Sequence, residues 1–224
     1  MRRLVVGLLA AALLLAAGCG GGSGSGQHPP RAQLAAAKKA FDRSSALHIT
    51  LTADKLPRGV AGLLSAEGQG THQPGFKGTI KVVQSGLSLT VPVVALGGKT
   101  WAKLGLWQQV DPGQYNAPDP AGLMSTSHGL SSVLTRATGV GQPATKRQGS
   151  TTVTRIDAKV PGRLMAGIVP SADPHSLFDA GFTLDKSGRL VGMVLTGAFY
   201  PAADDVTYRF TFSGYGSKAT VKAP

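Results

Sequence analysis

Apolar and polar side chains alternate in a series of short segments that begins at residue 47. In the first segment Leu47, Ile49, Leu51 and Ala53 occupy every second position. Successive side chains of a β-strand point to opposite faces, so this spacing predicts a strand with one buried face. Further strands are expected over residues 63–70, 75–84, 87–96, 99–104, 107–110, 140–148, 151–160, 177–185, 190–198 and 206–215. Together they predict one large antiparallel sheet.

Two of these strands form the strongest predicted hairpin, which turns at Ser85-Gly86. The alternation predicts that Leu87, Leu89, Val91 and Val93 share one face of the second arm, and that Ile80 and Val82 of the first arm lie on the same side. Pro92 has no backbone N–H to donate, which indicates an edge position or a bulge.

Helical spacing is confined to a few short segments. Leu34, Ala37, Lys38 and Phe41 predict one amphipathic helix from residue 33 to about 45. Shorter helices are expected over residues 119–124 and 129–136, and from Pro161 to about Ile168. A sheet with one apolar face must cover it, and short helices between strands are the natural cover.

The first nineteen residues have the pattern of a secretory signal. Arg2 and Arg3 precede an apolar run of fourteen residues, whereas a membrane-spanning helix needs about 20. Residues 16–19 resemble a bacterial lipobox, in which a diacylglycerol is attached to the cysteine sulfur before cleavage. The match departs at Ala16, where leucine is more common. The alternative is an ordinary secreted protein with one free thiol.

Cys19 is the only cysteine and therefore cannot form an internal disulfide. Residues 20–26 contain only glycine and serine and form a flexible tether. We therefore divide the chain into a signal peptide (1–18), a tether that begins at lipidated Cys19 (19–32) and one domain (33–224). More than one acyl chain gives durable anchoring, so we expect the protein on the outer face of the cell membrane.

The chain is strongly basic, with a formal net charge of +12. Without Arg2 and Arg3, 21 basic and 11 acidic side chains remain, a net charge of +10. Such a charge suits anionic lipid headgroups or acidic glycans, or is simply a solvated surface. A nucleic-acid partner is not expected, because the longest basic cluster is Lys146-Arg147 and no aromatics interleave with it.

The sequence has no recognisable catalytic or cofactor-binding constellation. It lacks a G-x-S-x-G motif, and neighbours such as Asp204 and Asp205 on a strand would point to opposite faces. Residues 97–100 end like a phosphate-binding loop, but Val93 stands where that motif requires glycine. The histidines show no metal-ligand spacing: His28, His48, His72, His128 and His175. We therefore expect neither an enzyme nor a metal or cofactor site.

The order of these elements resembles the actinobacterial LppX/LprG lipoproteins over residues 33 to about 222. The segments that carry the resemblance are 46–53, the pair containing Trp101 and Trp107 within 99–110, the Asp119-Pro120 helix start and the 149–160 hairpin. The resemblance implies an α+β fold in which a single curved antiparallel sheet, a half-open β-barrel, carries short helices across its concave face. An apolar cavity would lie between them.

In that family the cavity holds acyl chains of envelope lipids or lipoglycans, and the protein carries them outward across the envelope. The resemblance thus implies an acylated lipid or glycolipid ligand, a monomer, and a membrane lipid exporter as a further partner. The alternative is an adhesion or glycan-binding lipoprotein with a fully packed core. The expected lining residues are Leu51, Ile80, Val82, Leu89, Val91, Val93, Leu123, Leu130, Val133, Leu134, Ile156, Ile168, Phe182, Met193, Leu195 and Phe210.

Overall fold

The computed structural model describes residues 28–115, 117–200 and 203–224. The signal peptide, Cys19 and most of the tether lie outside these residues. These described residues contain three α-helices: α1 (Pro30–Arg43), α2 (Ser132–Arg136) and α3 (Gly162–Ala166). The strands are β1 (Ala46–Ala53), β2 (Gly62–Thr71), β3 (Gly75–Gln84), β4 (Leu87–Leu96), β5 (Lys99–Leu104), β6 (Leu106–Val110), β7 (Ala144–Gln148), β8 (Thr151–Pro161), β9 (Leu177–Leu184), β10 (Leu190–Gly197) and β11 (Val206–Ser217).

All these strands belong to one antiparallel sheet in the order β6-β5-β4-β3-β2-β1-β11-β10-β9-β8-β7. The first and last strands of the chain, β1 and β11, pair at the centre of the sheet. Its two edges are β6 and β7, so the sheet is open and does not close into a barrel. The predicted fold class, a single antiparallel sheet with a few short helices, is confirmed.

The connection between the two edge strands covers one face of this sheet. Residues 111–143 join β6 to β7 and include α2 and two 3-10 helices, Pro112–Tyr115 and Gly122–Met124. A neighbouring strand lies about 4.8 Å away, so the connection must run past all the intervening strands to reach the opposite edge. This crossover is why the face beneath it is buried.

One row of directly opposed residues runs across eight strands. Opposed residues in an antiparallel sheet point to the same side, which we call the inner face. Seven of the eight members are predicted lining residues, and the eighth is Ala66 of β2. In order across the sheet, its members are Ile156, Phe182, Met193, Phe210, Leu51, Ala66, Ile80 and Val91.

Helix α1 lies against the inner face through a single apolar stripe. Leu34, Ala37 and Phe41 are fully buried, and the Phe41 ring meets the Phe212 ring edge to face at 5.1 Å. The helix starts three residues before the predicted boundary because Pro30 fits the first helical turn, where its missing N–H would be unpaired. None of the helices described here has both the length and the apolar character needed to cross a bilayer.

Most predicted strand boundaries agree with the structure to within two residues, and the exceptions involve proline or short helices. β7 begins at Ala144, just after Pro143, rather than at residue 140. Pro161 is extended and pairs with Leu177 as the last residue of β8, so α3 begins only at Gly162. The helices expected over 119–124 and 129–136 are shorter, because each is one turn within the crossover.

Pro92 occupies a local edge, as the sequence predicts. On one side it pairs with Thr79 of β3, whereas the pairing of β4 with β5 runs only from Val93 to Leu96. The first half of β4 therefore has no ladder to β5, and the missing N–H of Pro92 costs no hydrogen bond there. Past the Val93–Ala102 pair, the β5–β6 hairpin extends to its turn without pairing to β4.

Buried side chains on the inner face form two clusters. The larger one lies beneath the helices and joins β1 with β8 to β11. The smaller one lies on β3, β4 and β5 and contains Phe76, Val91, Val93, Ala95, Ala102 and Ala121. The region of β3 to β5 is thus less completely filled than the region under the helices.

Candidate functional site

A cavity of about 210 Å³ lies beside the smaller cluster. One wall is the inner face of β3, β4 and β5, and the other is the start of the crossover, residues 112–120. Its lining residues are Gly62, Ile80, Val82, Val83, Gln84, Leu89, Val91, Val93, Thr100, Ala102, Leu104, Val110, Pro112, Tyr115, Ala117, Pro118 and Pro120. It is the larger of the two cavities described here on the inner face of the sheet, and we call it the larger cavity.

The larger cavity opens to solvent at the end of the sheet where the β3–β4 and β5–β6 hairpins turn. Leu89, Leu104 and Tyr115 line it and are 52%, 45% and 45% exposed. Val93 and Ala102 lie deeper in the same wall and are buried. The cavity therefore has an apolar, exposed mouth near the hairpin turns and buried walls farther along β4 and β5.

The chemistry of this lining suits a hydrocarbon. Gln84, Thr100 and Tyr115 are the polar side chains among the lining residues described by the structure, and none of those residues is charged. An apolar cavity does not hold water well and accepts apolar ligands instead. Its volume exceeds the roughly 150 Å³ of an engineered cavity that binds benzene. It is smaller than the roughly 300–1,000 Å³ of pockets that bury whole drug-sized ligands.

A second, smaller cavity of about 30 Å³ lies within the larger cluster. Pro118 lines both spaces, so the two cavities are neighbours separated by this part of the crossover. The other lining residues of the smaller cavity are Leu51, Leu63, Leu123, Leu130, Met165, Val169, Leu195, Phe199, Tyr200, Tyr208 and Phe210.

The smaller cavity contains a buried hydrogen-bonded pair of tyrosines. The hydroxyl oxygens of Tyr200 and Tyr208 are 2.8 Å apart, and Tyr208 donates to the backbone carbonyl of Leu63 at 3.0 Å. Burial, followed by the charge and hydrogen-bond effects of Tyr200, raises the pKa of Tyr208 far above its usual value. Tyr208 therefore stays neutral, and its hydroxyl ties β11 to β2 across the intervening strand β1.

The sixteen predicted lining residues fall into three groups. Five hairpin positions line the larger cavity: Ile80, Val82, Leu89, Val91 and Val93. Five others line the smaller one: Leu51, Leu123, Leu130, Leu195 and Phe210. The remaining six are packed in the larger cluster and line neither cavity: Val133, Leu134, Ile156, Ile168, Phe182 and Met193. They lie where the helices cover the sheet directly, and periodicity cannot distinguish such positions from a cavity wall.

Sequence reasoning missed the β5 part of the sheet wall and the whole crossover wall. Thr100, Ala102 and Leu104 follow the same two-residue alternation as the β3–β4 hairpin and could have been found from it. Residues 112–120 have no periodic pattern, so nothing in the sequence placed them over the hairpin.

The titratable groups form no second candidate site. No group of three His, Cys, Asp or Glu side chains that could hold a metal ion occurs within residues 28–115, 117–200 and 203–224. His48 lies on the polar face of β1, as predicted, with its Nε2 atom 3.3 Å from Glu67 Oε1.

Comparison with known proteins identifies the family. The solved structures that share the fold include LprF from Mycobacterium bovis (TM-score 0.69, 16% identity, 87% of this chain and 96% of that one) and the lipoprotein LppX from Mycobacterium tuberculosis (TM-score 0.62, 18% identity, 86% and 97%). No curated protein sequence matches the chain. The family model described as LppX_LprAFG lipoprotein matches residues 29–221. The chain therefore belongs to the LppX_LprAFG lipoprotein family.

Proposed function

We propose that this protein binds an acyl chain of an envelope lipid or lipoglycan in the larger cavity and carries it across the cell envelope. The observation that carries the proposal is the 210 Å³ apolar space, which is open at one end. The adhesion alternative predicts a fully packed core and does not account for this space. Within the proposal the protein is a binding protein and not an enzyme, is anchored through lipidated Cys19 on the outer face of the membrane, and receives or delivers its ligand through a membrane lipid exporter.

The size of the larger cavity limits what it holds in this conformation. It accommodates part of one acyl chain, whereas the polar headgroup must remain outside the apolar mouth, because burying an unpaired polar group is costly. The smaller cavity beyond Pro118 extends the apolar space by about 30 Å³. A displacement of residues 117–120 would join the two spaces and admit a longer chain.

The direct test is mass spectrometry of an organic extract of the protein purified from a lipid-rich actinobacterial host. The proposal expects acylated lipid at a stoichiometry near one per protein. Protein that is free of lipid and cannot be loaded with fatty acid or diacylglycerol would support the adhesion alternative instead.

A pair of substitutions assigns the ligand to the larger cavity. In Val91→Trp the added ring can occupy the space of the acyl chain, so we expect folding to survive and bound lipid to fall. The matched variant Val133→Trp places the same ring in the filled core, where overpacking should lower the free energy of unfolding by about 1–3 kcal/mol or more. Normal lipid content in a folded Val91→Trp protein would contradict the assignment.

A further inference from the structure

The exposed large apolar side chains are concentrated at the mouth of the larger cavity. Leu87 and Leu106 are 76% and 80% exposed, and they adjoin the turns of the β3–β4 and β5–β6 hairpins. Leu89 and Leu104, also exposed, line the mouth itself. We call these four leucines the hairpin tip.

The register places the whole hairpin tip on the inner face. Leu104 is opposite Leu106, and Leu89 is opposite Val82 in the cavity wall. Leu87 is two residues from Leu89 and therefore points the same way. The apolar lining of the cavity thus continues without interruption onto exposed surface, which is the arrangement expected where a protein meets another apolar phase.

The opposite face of the same hairpins is basic. Residues 75–110 contain four lysines and no aspartate or glutamate. All four are exposed, and none forms an ion pair with the described part of the chain: Lys77, Lys81, Lys99 and Lys103. Such a face is electrostatically complementary to an extended, negatively charged surface.

Lys103 and Trp107 are directly opposed and lie two residues from the turn at Gly105. At about 3.3 Å per residue they lie roughly 7 Å behind the tip. Interfacial segments bury their apolar face about 5–10 Å deep, so this pair would be at headgroup level when the leucines reach the acyl layer. Tryptophan and lysine are the residues that favour that level.

We propose that the hairpin tip docks on an anionic lipid bilayer, with its leucines inserted among the acyl chains and the lysines nearest the turns, Lys81 and Lys103, against the headgroups. The mouth of the cavity then opens directly into the hydrocarbon layer, and a chain enters without crossing water. This docking mode rests on the proposed function for its purpose. It involves the hairpin tip and not lipidation of Cys19.

The test uses the full-length chain with Cys19→Ala, which removes the native thiol, and one new cysteine labelled with the environment-sensitive dye NBD. Leu106→Cys places the dye at the tip. Ser187→Cys is the matched control, because the turn between β9 and β10 lies at the opposite end of the sheet and is also flanked by basic residues, Lys186 and Arg189. Both proteins are mixed with vesicles of equal parts phosphatidylglycerol and phosphatidylcholine.

We expect NBD emission to rise several-fold and shift to shorter wavelength at position 106, with little change at position 187. Pure phosphatidylcholine vesicles, or about 1 M salt, where the Debye length is about 3 Å, should weaken the response. An equal response at both positions, or none at 106, would overturn the proposal. A rise at 106 that depends on protein concentration and not on vesicles would assign the tip to a second copy of the chain.

A second variant separates docking from cargo binding. Leu87→Ser with Leu106→Ser alters two mostly exposed side chains, so folding should be unaffected, and binding to vesicles of the protein without these two substitutions provides the reference. We expect the double variant to lose most of its binding to vesicles, measured by flotation because position 106 no longer carries the dye, while an acyl ligand already bound remains detectable by mass spectrometry. If the protein without these two substitutions carries ligand but does not insert its tip, docking alone is overturned. If it inserts its tip but never holds lipid, the proposed cargo alone is overturned.

Discussion

The Tyr208 hydroxyl is 2.8 Å from the Tyr200 hydroxyl and donates to the Leu63 carbonyl in an otherwise apolar interior. Removing it in Tyr208→Phe leaves the Tyr200 hydroxyl and the Leu63 carbonyl without these partners. An unsatisfied buried polar group costs about 1–3 kcal/mol, so we expect a loss of that order in the free energy of unfolding, measured with urea. Tyr115→Phe, at an exposed hydroxyl of the larger cavity, is the control and should change stability little.

The ion pair between Asp54 and Arg209 should make part of the protein's folding stability sensitive to acid. Both carboxylate oxygens accept from the guanidinium at 2.9 Å, and this hydrogen bonding, followed by the charge of Arg209, lowers the pKa of Asp54 against the opposing effect of burial. A carboxyl group with a lowered folded pKa stabilises the protein above its unfolded pKa of about 3.9. That stabilisation is lost as the pH falls through the folded pKa.

Asp54→Asn should therefore lower stability at neutral pH and flatten the decline below about pH 4. Urea midpoints at a series of pH values measure both effects. The exposed Asp204→Asn in the neighbouring loop should leave the profile close to that of the parent. A profile for Asp54→Asn that parallels the parent would contradict the role of this pair.

Gly78 allows β2 and β3 to approach each other closely. A Cβ at this position would lie 2.1 Å from the Glu67 carbonyl oxygen and 2.8 Å from Gly68 Cα, both backbone atoms that cannot move independently. Gly78→Ala should lower the free energy of unfolding by about 1–3 kcal/mol, as overpacking does. In Gly192→Ala, a control in another strand, the nearest atom is an ordinary 3.4 Å away, so that variant should fold as stably as the parent.

Cys19→Ala tests the anchor predicted from the sequence. Cys19 is the only thiol in the chain, so no other residue can accept the diacylglycerol. We expect the variant to accumulate as a soluble or uncleaved form, detected by detergent partitioning and intact-mass measurement. Complete partitioning into detergent after signal removal would refute the lipoprotein anchor.

The alternation of apolar and polar residues predicted the strands well, because it depends only on residues that are close in sequence. The hairpin from Gly75 to Leu96 has the predicted ends, turn and inward residues, since alternation alone determines which side each residue faces. The pairing of β1 with β11 and the path of the crossover depend on contacts distant in sequence, which no local pattern records. For the same reason Ile156 and Val91 looked alike in sequence, although one is packed beneath the helices and the other faces a cavity.

The central pairing of the first and last strands also affects how the chain folds. Every other neighbour in the sheet is consecutive in sequence, so β1 to β6 and β7 to β11 can each assemble through connections that are local in sequence, the longest of which, residues 162–176, contains α3. The seam between β1 and β11 joins residues such as Asp54 and Arg209, which are 155 positions apart, and its loop-closure entropy must be overcome before its contacts form. We therefore expect the two groups of strands, β1 to β6 and β7 to β11, to form early in folding and the pairing of β1 with β11 to form late. Substitutions at this pairing should then mainly accelerate unfolding.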